Sequence, residues 1–464
     1  MKRYLIVFLS LIGMLSLGAI TLDESIELAR KNNKNLLMTA EEVSKAEAQY
    51  KDVRGSLLPQ FSLQGQYGLS KTYLPDSATG ALPSVSNMLD DEPSANDADY
   101  LIGGTLDGIM GSMMPSSPQD EGSVALQVKM DQVVFLGGKL INGIKGAARY
   151  RKIQKLNYQV QEQALILSTT ELFYQVLLSE KVVGIQRAGL ETARRHLARV
   201  ELLSAEGQVS EFDVLRARLE VAKLEPDVLA AENTYSLALA AFKQKIGYEA
   251  EDLELEGGFI LPPIVEMTLA EAQALGLENR TELELLDIAT EIQQIRYNAE
   301  KGNYLPNVAL SASAALFTAA DEYAIQRDDF GTQYSVGIGF SLPIFTGFSN
   351  ASKISYARHD LSKAKLQQRD TQELIALDIK QSHQKLQHAL QNYEVQAQNI
   401  RLATRNLELA QIRYENQVGI QLEVFDAQIM LSSIQLQYYS AIYEVIVSER
   451  ALSKAIGKNL ISEK

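Results

Sequence analysis

Four stretches of the chain alternate apolar and polar residues with period two. In the first, Phe61, Leu63, Tyr67 and Leu69 are apolar, with Ser62, Gln64, Gln66 and Ser70 between and beside them. In the second, Val124, Leu126, Val128, Met130 and Val134 oppose Ala125, Gln127, Lys129 and Asp131. The third, Val308 to Phe317, is rich in Ala and Ser. The fourth sets Tyr334, Val336, Ile338, Phe340, Leu342 and Ile344 against Gln333, Ser335, Gly337, Gly339 and Ser341. Successive side chains of a strand point to opposite faces, so each stretch has one greasy face and one polar or small face. Each is about 10–14 residues long, which suits a tilted strand crossing a bilayer. A half-buried sheet in a soluble protein would show the same alternation.

Elsewhere the period changes. No proline occurs from Gln119 to Glu225 or from Ile344 to Lys464. Proline removes an amide donor and clashes with the preceding turn, so its absence permits very long helices. The spacing predicts a helix over 138–206, on the order of 100 Å long at about 1.5 Å per residue. Val214, Ala217, Val221, Leu224, Val228, Ala231, Tyr235, Ala238 and Phe242 step three and four along the chain. So do Val424, Ala427, Leu431, Ile434, Tyr438, Ala441, Val445, Ser448 and Leu452. A third seam runs Leu386, Leu390, Tyr393, Ala397, Ile400, Thr404, Leu407, Gln411 and Tyr414. A sustained 3.5-residue period keeps one stripe against a partner helix. Pro226 lies inside the first seam and predicts a kink or local break there. Reversals are expected at Glu206-Gly207-Gln208-Val209-Ser210 and Asn416-Gln417-Val418-Gly419-Ile420, with Ser210 a candidate cap for the helix that follows.

These elements occur twice. Thr21-Leu22-Asp23-Glu24 returns as Thr268-Leu269-Ala270-Glu271, and Leu58-Pro59 as Leu305-Pro306, 247 positions later (268 − 21, 306 − 59). Phe135-x-Gly137 returns as Phe345-x-Gly347 and Ile246-Gly247 as Ile456-Gly457, 210 positions later (345 − 135, 457 − 247). Two copies in register argue that neither half buries its surfaces alone. The fall in offset places an insertion in the first copy: Leu74 to Ser123 separates the first two strands, where only Ala319 to Gly331 separates the last two. This segment is rich in Gly, Pro, Asp, Ser and Met and is expected to be an extended surface loop. The implied organisation is a signal peptide over 1–19, a first repeat over 20–247, a linker over 248–267, a second repeat over 268–457 and a short tail over 458–464.

Met1-Lys2-Arg3, the apolar run Tyr4–Leu17 and the small residues to Ala19 carry the pattern of a secretory signal. No later apolar stretch reaches the roughly 18 residues of a spanning helix. The chain has no cysteine, which excludes disulfides, thiolate metal sites and lipid attachment through cysteine. Its formal charge is −14, and loss of Lys2 and Arg3 would bring it to −16 (−14 − 2). An acidic chain gives no support for nucleic-acid binding. The charge suits both plain solubility and a pore that favours cations.

Strand hairpin, long helix pair, then a second copy of both resembles the TolC-like outer membrane efflux protein family. The resemblance rests on the two Thr-Leu openings, on Leu58-Pro59-Gln60 and Leu305-Pro306-Asn307, and on Pro343-Ile344-Phe345-Thr346-Gly347. Arg413-Tyr414 and Glu423-Val424-Phe425-Asp426-Ala427, which flank the second helical turn, add to it. It implies an α+β fold: an outer-membrane β-barrel of four strands per chain, 12-stranded as a homotrimer, continuous with a coiled-coil tunnel in the periplasm. It also implies an exit duct for a tripartite efflux pump or type I secretion. The partners would be a periplasmic adaptor protein, an inner membrane transporter and outer membrane lipid, with no cofactor.

At the periplasmic tip the resemblance makes Asp213 and Tyr414 an inter-coil gating pair, and Glu423 and Asp426 an acidic constriction. The i, i+3 spacing of the latter puts both carboxylates on one helix face. The turns Gly207, Gln208, Val209, Ser210 and Gln417, Val418, Gly419 are then the adaptor-docking tips. Two departures stand out. Gly419 occupies a place where the family often has a basic residue, and Gln417 replaces the expected turn glycine.

No catalytic constellation is present. His383 and His388 are five apart, which does not place two ligands on one helix face, and there is no His-Glu-x-x-His. Gly337-Ile338-Gly339 sits in a strand pattern, and there is no serine-centred nucleophile elbow. His196, His359, His383 and His388 are expected to be ordinary helix-surface residues. A non-conducting structural or adhesive coiled coil, and a soluble helical protein with an ordinary sheet, are the alternatives to a duct. The greasy strand faces argue against a coiled coil, which has no use for them.

Overall fold

The computed structural model describes residues 19–71, 97–113, 120–250, 252–264, 266–320, 326–416 and 418–458. The expected signal peptide therefore lies outside the described residues, except for Ala19. In chain order the elements are α1 (Leu22–Asn32), α2 (Lys34–Gly55), β1 (Gln60–Lys71), α3 (Asp97–Met113), β2 (Asp120–Leu136), α4 (Lys139–Ala205) and α5 (Glu211–Ile246). Then follow α6 (Leu269–Asn279), α7 (Thr281–Lys301), β3 (Asn307–Ala320), β4 (Gly331–Ser341), α8 (Ser349–Glu415) and α9 (Gln421–Ala455). The chain divides into two compact units, each drawing on both halves of the sequence.

The first unit, Tyr50–Lys145 with Ile295–Tyr356, contains one antiparallel sheet in the order β1-β2-β3-β4. Its register aligns the alternation across all four strands. Phe61 pairs with Met130, Leu63 with Val128 and Tyr67 with Val124. Leu126 pairs with Leu316, and Val128 with Ala314. Leu310 pairs with Ile338, Ala312 with Val336 and Val308 with Phe340. One continuous apolar face results, and its large side chains are exposed in the single chain. The opposite face carries Gln64, Gln127, Ser313 and Ser335; Ser313 and Ser335 share a hydrogen bond of 2.8 Å.

Two details depart from the simple alternation. The register shifts between Val133 and Phe135, so Val134 is the extra residue of a bulge and Phe135 pairs with Val308. Val134 therefore does not continue the Val124–Met130 face in phase. The last ladder residue of β4 is Ser341, so Leu342 and Ile344 prolong the alternation beyond the strand. The expected Leu74–Ser123 loop is also not a plain connection. Residues 97–113 form α3, and β2 begins at Asp120; the remainder, 72–96 and 114–119, lies outside the described residues. Near the strand ends, Gly137 and Gly302 approach closely enough that a Cβ on either would lie 2.1–2.2 Å from the other's carbonyl oxygen.

The second unit holds the long helices. α4 and α8 each run 67 residues, α5 runs 36 and α9 runs 35. Their cores follow the seams. Phe173, Val176, Leu177, Phe242 and Ile246 pack with Ala29 and Leu36 in one cluster. Ile375, Ile379, Leu386, Val445, Leu452 and Ile456 form another around Ala272. In the α8 seam, Ala403 and Ala410 are buried, while Thr404 and Gln411 are exposed. The reason is chemical: an alanine fits a close helix crossing, whereas a buried hydroxyl or amide needs a partner. α5 continues through Pro226 without the expected break. Pro226 is exposed, so the Ala222 carbonyl it frees reaches solvent, while Val228 and Ala231 stay packed.

Capping recurs with the repeat. Thr21 and Thr268 each cap a helix, receiving the Glu24 and Glu271 amides and returning their own amides to those carboxylates. Gly247 (φ 66°) and Gly457 (φ 72°) end α5 and α9 in the left-handed region. The bonds Tyr248 N–H to Lys243 C=O and Lys458 N–H to Ser453 C=O, both 2.9 Å, close the same motif twice. Arg30 of α1 holds the largely buried Glu162 of α4 at 2.7 Å.

His383 is 7 % exposed, and its Nε2 lies 2.8 Å from the Met267 carbonyl. It is therefore not the surface residue expected. It stands 210 positions after Phe173 (383 − 173) and fills the corresponding core place with a ring that can also tie down the 248–267 segment.

Candidate functional site

The turns between α4 and α5 and between α8 and α9 end in comparable bonds but different caps. In the first, Gly207 adopts φ 74°, its amide reaches the Ser204 carbonyl at 3.0 Å, and the Gln208 amide reaches Leu203 at 2.9 Å. In the second, the Val418 amide makes the equivalent bond to Arg413 at 2.9 Å. Gln417, at the position matching Gly207, lies outside the described residues.

The helices that follow start differently. Ser210 caps α5 as expected: its Oγ accepts the Asp213 amide, and the Asp213 carboxylate accepts from Ser210 N–H at 3.1 Å and Oγ–H at 2.6 Å. Those hydrogen bonds hold the Asp213 carboxyl below the usual carboxylate range. Ile420 begins α9 with no side-chain cap. Glu423 instead reaches back across the turn to Arg413, Nε to Oε2 at 3.4 Å. Gly419 makes room for that pair, because a Cβ there would lie 2.9 Å from the Glu423 carboxylate and 3.0 Å from Arg413 Cβ. A basic side chain thus stands beside Gly419, supplied by Arg413 of α8.

Between these turns and the helices above them lies a groove of about 610 Å³. Asp213, Arg216 and Glu220 of α5, Tyr414 of α8, His196 and Val200 of α4, and Phe425, Asp426 and Ile429 of α9 line it. The structure therefore brings Asp213, Tyr414 and Asp426 to one place. It separates Glu423, which is occupied by Arg413, from Asp426, which faces the groove. Among the described residues, the Asp213 carboxylate takes its bonds from Ser210, and none from Tyr414.

The groove's floor holds a contact the sequence reading missed. The His196 ring stacks on Phe425, with centroids 5.1 Å apart and planes at 16°. Burial lowers the His196 pKa, against an opposing pull from Asp426. Phe425 was visible within the Glu423–Ala427 motif. Nothing in the spacing of the chain pointed to His196. Among the described residues there is no group of acidic and histidine side chains able to hold a metal ion.

Comparison with known proteins bears on the family and the fold. The outer membrane efflux protein family matches residues 25–248 and 274–458. The chain is 25% identical over 317 residues to outer membrane protein TolC of Escherichia coli strain K12, covering 66% of this chain and 64% of that one. It thus spans a little under two thirds of that relative's length. It is 24% identical to outer membrane protein TolC of Salmonella enteritidis, over 98% of this chain and 86% of that one. In fold it is similar to the Campylobacter jejuni CmeC outer membrane channel, at TM-score 0.71 and 16% identity, over 94% of this chain and 85% of that one.

The chain belongs to the outer membrane efflux protein family. Its place is the outer membrane, with the strands in the bilayer and the long helices in the periplasm. Family and fold neighbours are channels rather than enzymes.

Proposed function

We propose that three copies form an exit duct through the outer membrane. The duct passively conducts substrate delivered by an inner membrane transporter and a periplasmic adaptor, in a tripartite efflux pump or type I secretion. The observation that carries this is the sheet. Four strands are too few to close a barrel, and β1 and β4 are its unpaired edges among the described residues. An eight-stranded barrel would be filled by side chains, whereas twelve strands leave an opening. The inward face, with Ser, Gln and Gly, suits a wet lumen, and the outward apolar face suits lipid.

At the periplasmic tip, Asp426 from three chains supplies an acidic constriction that attracts cations, and Glu423 adds its charge to it when the exposed pair with Arg413 opens. Asp213 and Tyr414 line the groove where the two helix pairs part. The turns Gly207–Ser210 and Gln417–Gly419 receive the adaptor. Energy for transport comes from the inner membrane partner, so no nucleotide site is required. The test is reconstitution of the outer membrane protein in planar bilayers. Ion conduction supports the duct; protein that inserts but never conducts overturns it. Bulky replacement of Gly207 is expected to impair export while the protein still assembles, and normal export would reject adaptor docking there.

A further inference from the structure

The chain leaves β4 through Leu342-Pro343-Ile344-Phe345-Thr346-Gly347-Phe348 before α8 begins. Ile344 is 93% exposed, Phe345 77% and Phe348 75%. The two phenylalanine rings meet edge to face, with centroids 5.7 Å apart. Phe348 has φ 65° and is the one non-glycine residue with positive φ among those described. A bulky side chain in the left-handed region is sterically disfavoured.

The repeat shows that this residue is not forced by the fold. Gly137 and Gly138 adopt φ 58° and 76° in the first copy; Gly347 and Phe348 adopt 59° and 65° in the second. Both copies therefore make the same double left-handed turn. The first uses two glycines, and the second places a large apolar ring where glycine would sit without strain. In water an exposed ring offers little to offset that strain. In a membrane interface it does, because aromatic rings favour the headgroup level.

We infer that Phe345 and Phe348 form an anchor in the periplasm-side interface of the bilayer, and that Phe348 is tolerated in its strained backbone because lipid covers it. Two further observations select lipid as the occupant. The patch continues the exposed apolar face of β4, Tyr334, Val336, Ile338 and Phe340, the face that an outer membrane barrel turns to lipid. From Phe330 to His359 the chain has no carboxylate, and its charges are Lys353 and Arg358, which suits anionic headgroups. The inference rests on the outer membrane location and is independent of whether the protein conducts.

The chain has no tryptophan, so single reporters are available. The full protein carrying Phe348→Trp, or Phe345→Trp, is reconstituted in phosphatidylethanolamine–phosphatidylglycerol vesicles whose acyl chains are brominated near the headgroup or near the methyl end. Blue-shifted emission, quenched several-fold more by the headgroup-proximal bromines, is expected at both positions. Tyr334→Trp, on the strand face, reports insertion; Leu402→Trp, on α8, should remain unquenched. If Tyr334→Trp is quenched while both phenylalanine positions are not, the anchor is overturned and the membrane location stands. Blue-shifted but unquenched emission would mean that protein covers the patch, and would overturn it equally.

Discussion

The ring of His196 lies parallel to the ring of Phe425, 5.1 Å away, and joins the first long helix pair to the second. Phe425 is buried, and Nδ1 of His196 is enclosed without a hydrogen-bond partner. Phe425→Ala removes a packed aromatic from this junction. It is expected to destabilise the protein by about 3 kcal/mol, seen as a lowered melting temperature in detergent. An unchanged melting temperature would mean that the contact does not hold the two pairs together.

The same junction predicts a pH dependence. Burial lowers the pKa of His196 in the folded chain, and Asp426 opposes this. The unfolded chain, with an ordinary histidine pKa of about 6.5, binds the proton first as pH falls. Stability is therefore complete above that pH and declines below it, through the window down to the folded pKa. Asp213, Arg216 and Glu220 of α5 and Tyr414 of α8 share the groove and set its field. His196→Gln should flatten the change in melting temperature between about pH 7 and pH 5, leaving the carboxylate-driven loss at lower pH.

The Arg413–Glu423 pair is exposed, so it contributes little to stability. Arg413→Ala should cost under about 1 kcal/mol. Because Arg413 partly neutralises Glu423, the variant should instead show increased cation selectivity in bilayer recordings, and an unchanged reversal potential would count against this. Glu423→Gln combined with Asp426→Asn should reduce cation selectivity and cation block. An unchanged reversal potential would remove the acidic constriction from the account.

Thr21→Ala, Thr268→Ala and Ser210→Ala should each cost about 1 kcal/mol. Hydrogen bonds from the cap residues lower the pKa of Glu24, Glu271 and Asp213. Their stabilisation is thus present above the ordinary carboxylate pKa of about 4 and lost as pH falls through the lowered values. Melting temperatures of wild type and cap variants should converge in acid.

Much of this was legible because two periods dominate the chain. The step of two located β1–β4; absent proline placed α4 to within a residue at each end, and the step of 3.5 over 386–414 marked the second half of α8 without fixing its start. What escaped was local. The bulge at Val134 costs one residue of phase, and alternation carries no sign of it. α3 lies in a stretch whose Gly, Asp and Met content reads as loop. The burial of His383 could have been inferred from the repeat, since its counterpart is Phe173. At the tip, the motifs named the right turns. The bonds of Asp213 to Ser210 and of Glu423 to Arg413, by contrast, depend on side-chain reach that spacing does not encode.

Close helix contacts give a sharper test of packing. A Cβ on Gly276 would lie 2.3 Å from Ile379 Cδ1 and 3.1 Å from the Ala455 carbonyl. Gly276→Val should therefore destabilise the fold by about 1–3 kcal/mol, lowering the yield of folded protein in the outer membrane. Gly184→Ala, with nothing within 4 Å, should be neutral or mildly stabilising.

The central claim is that four strands per chain become a closed barrel only by assembly. The most direct measurement is the mass of the protein extracted from the outer membrane, by light scattering corrected for bound detergent or by native mass spectrometry. Three chains per particle, resistant to mild heating in dodecyl sulfate, is the predicted result. A folded, membrane-inserted particle of one chain would contradict it.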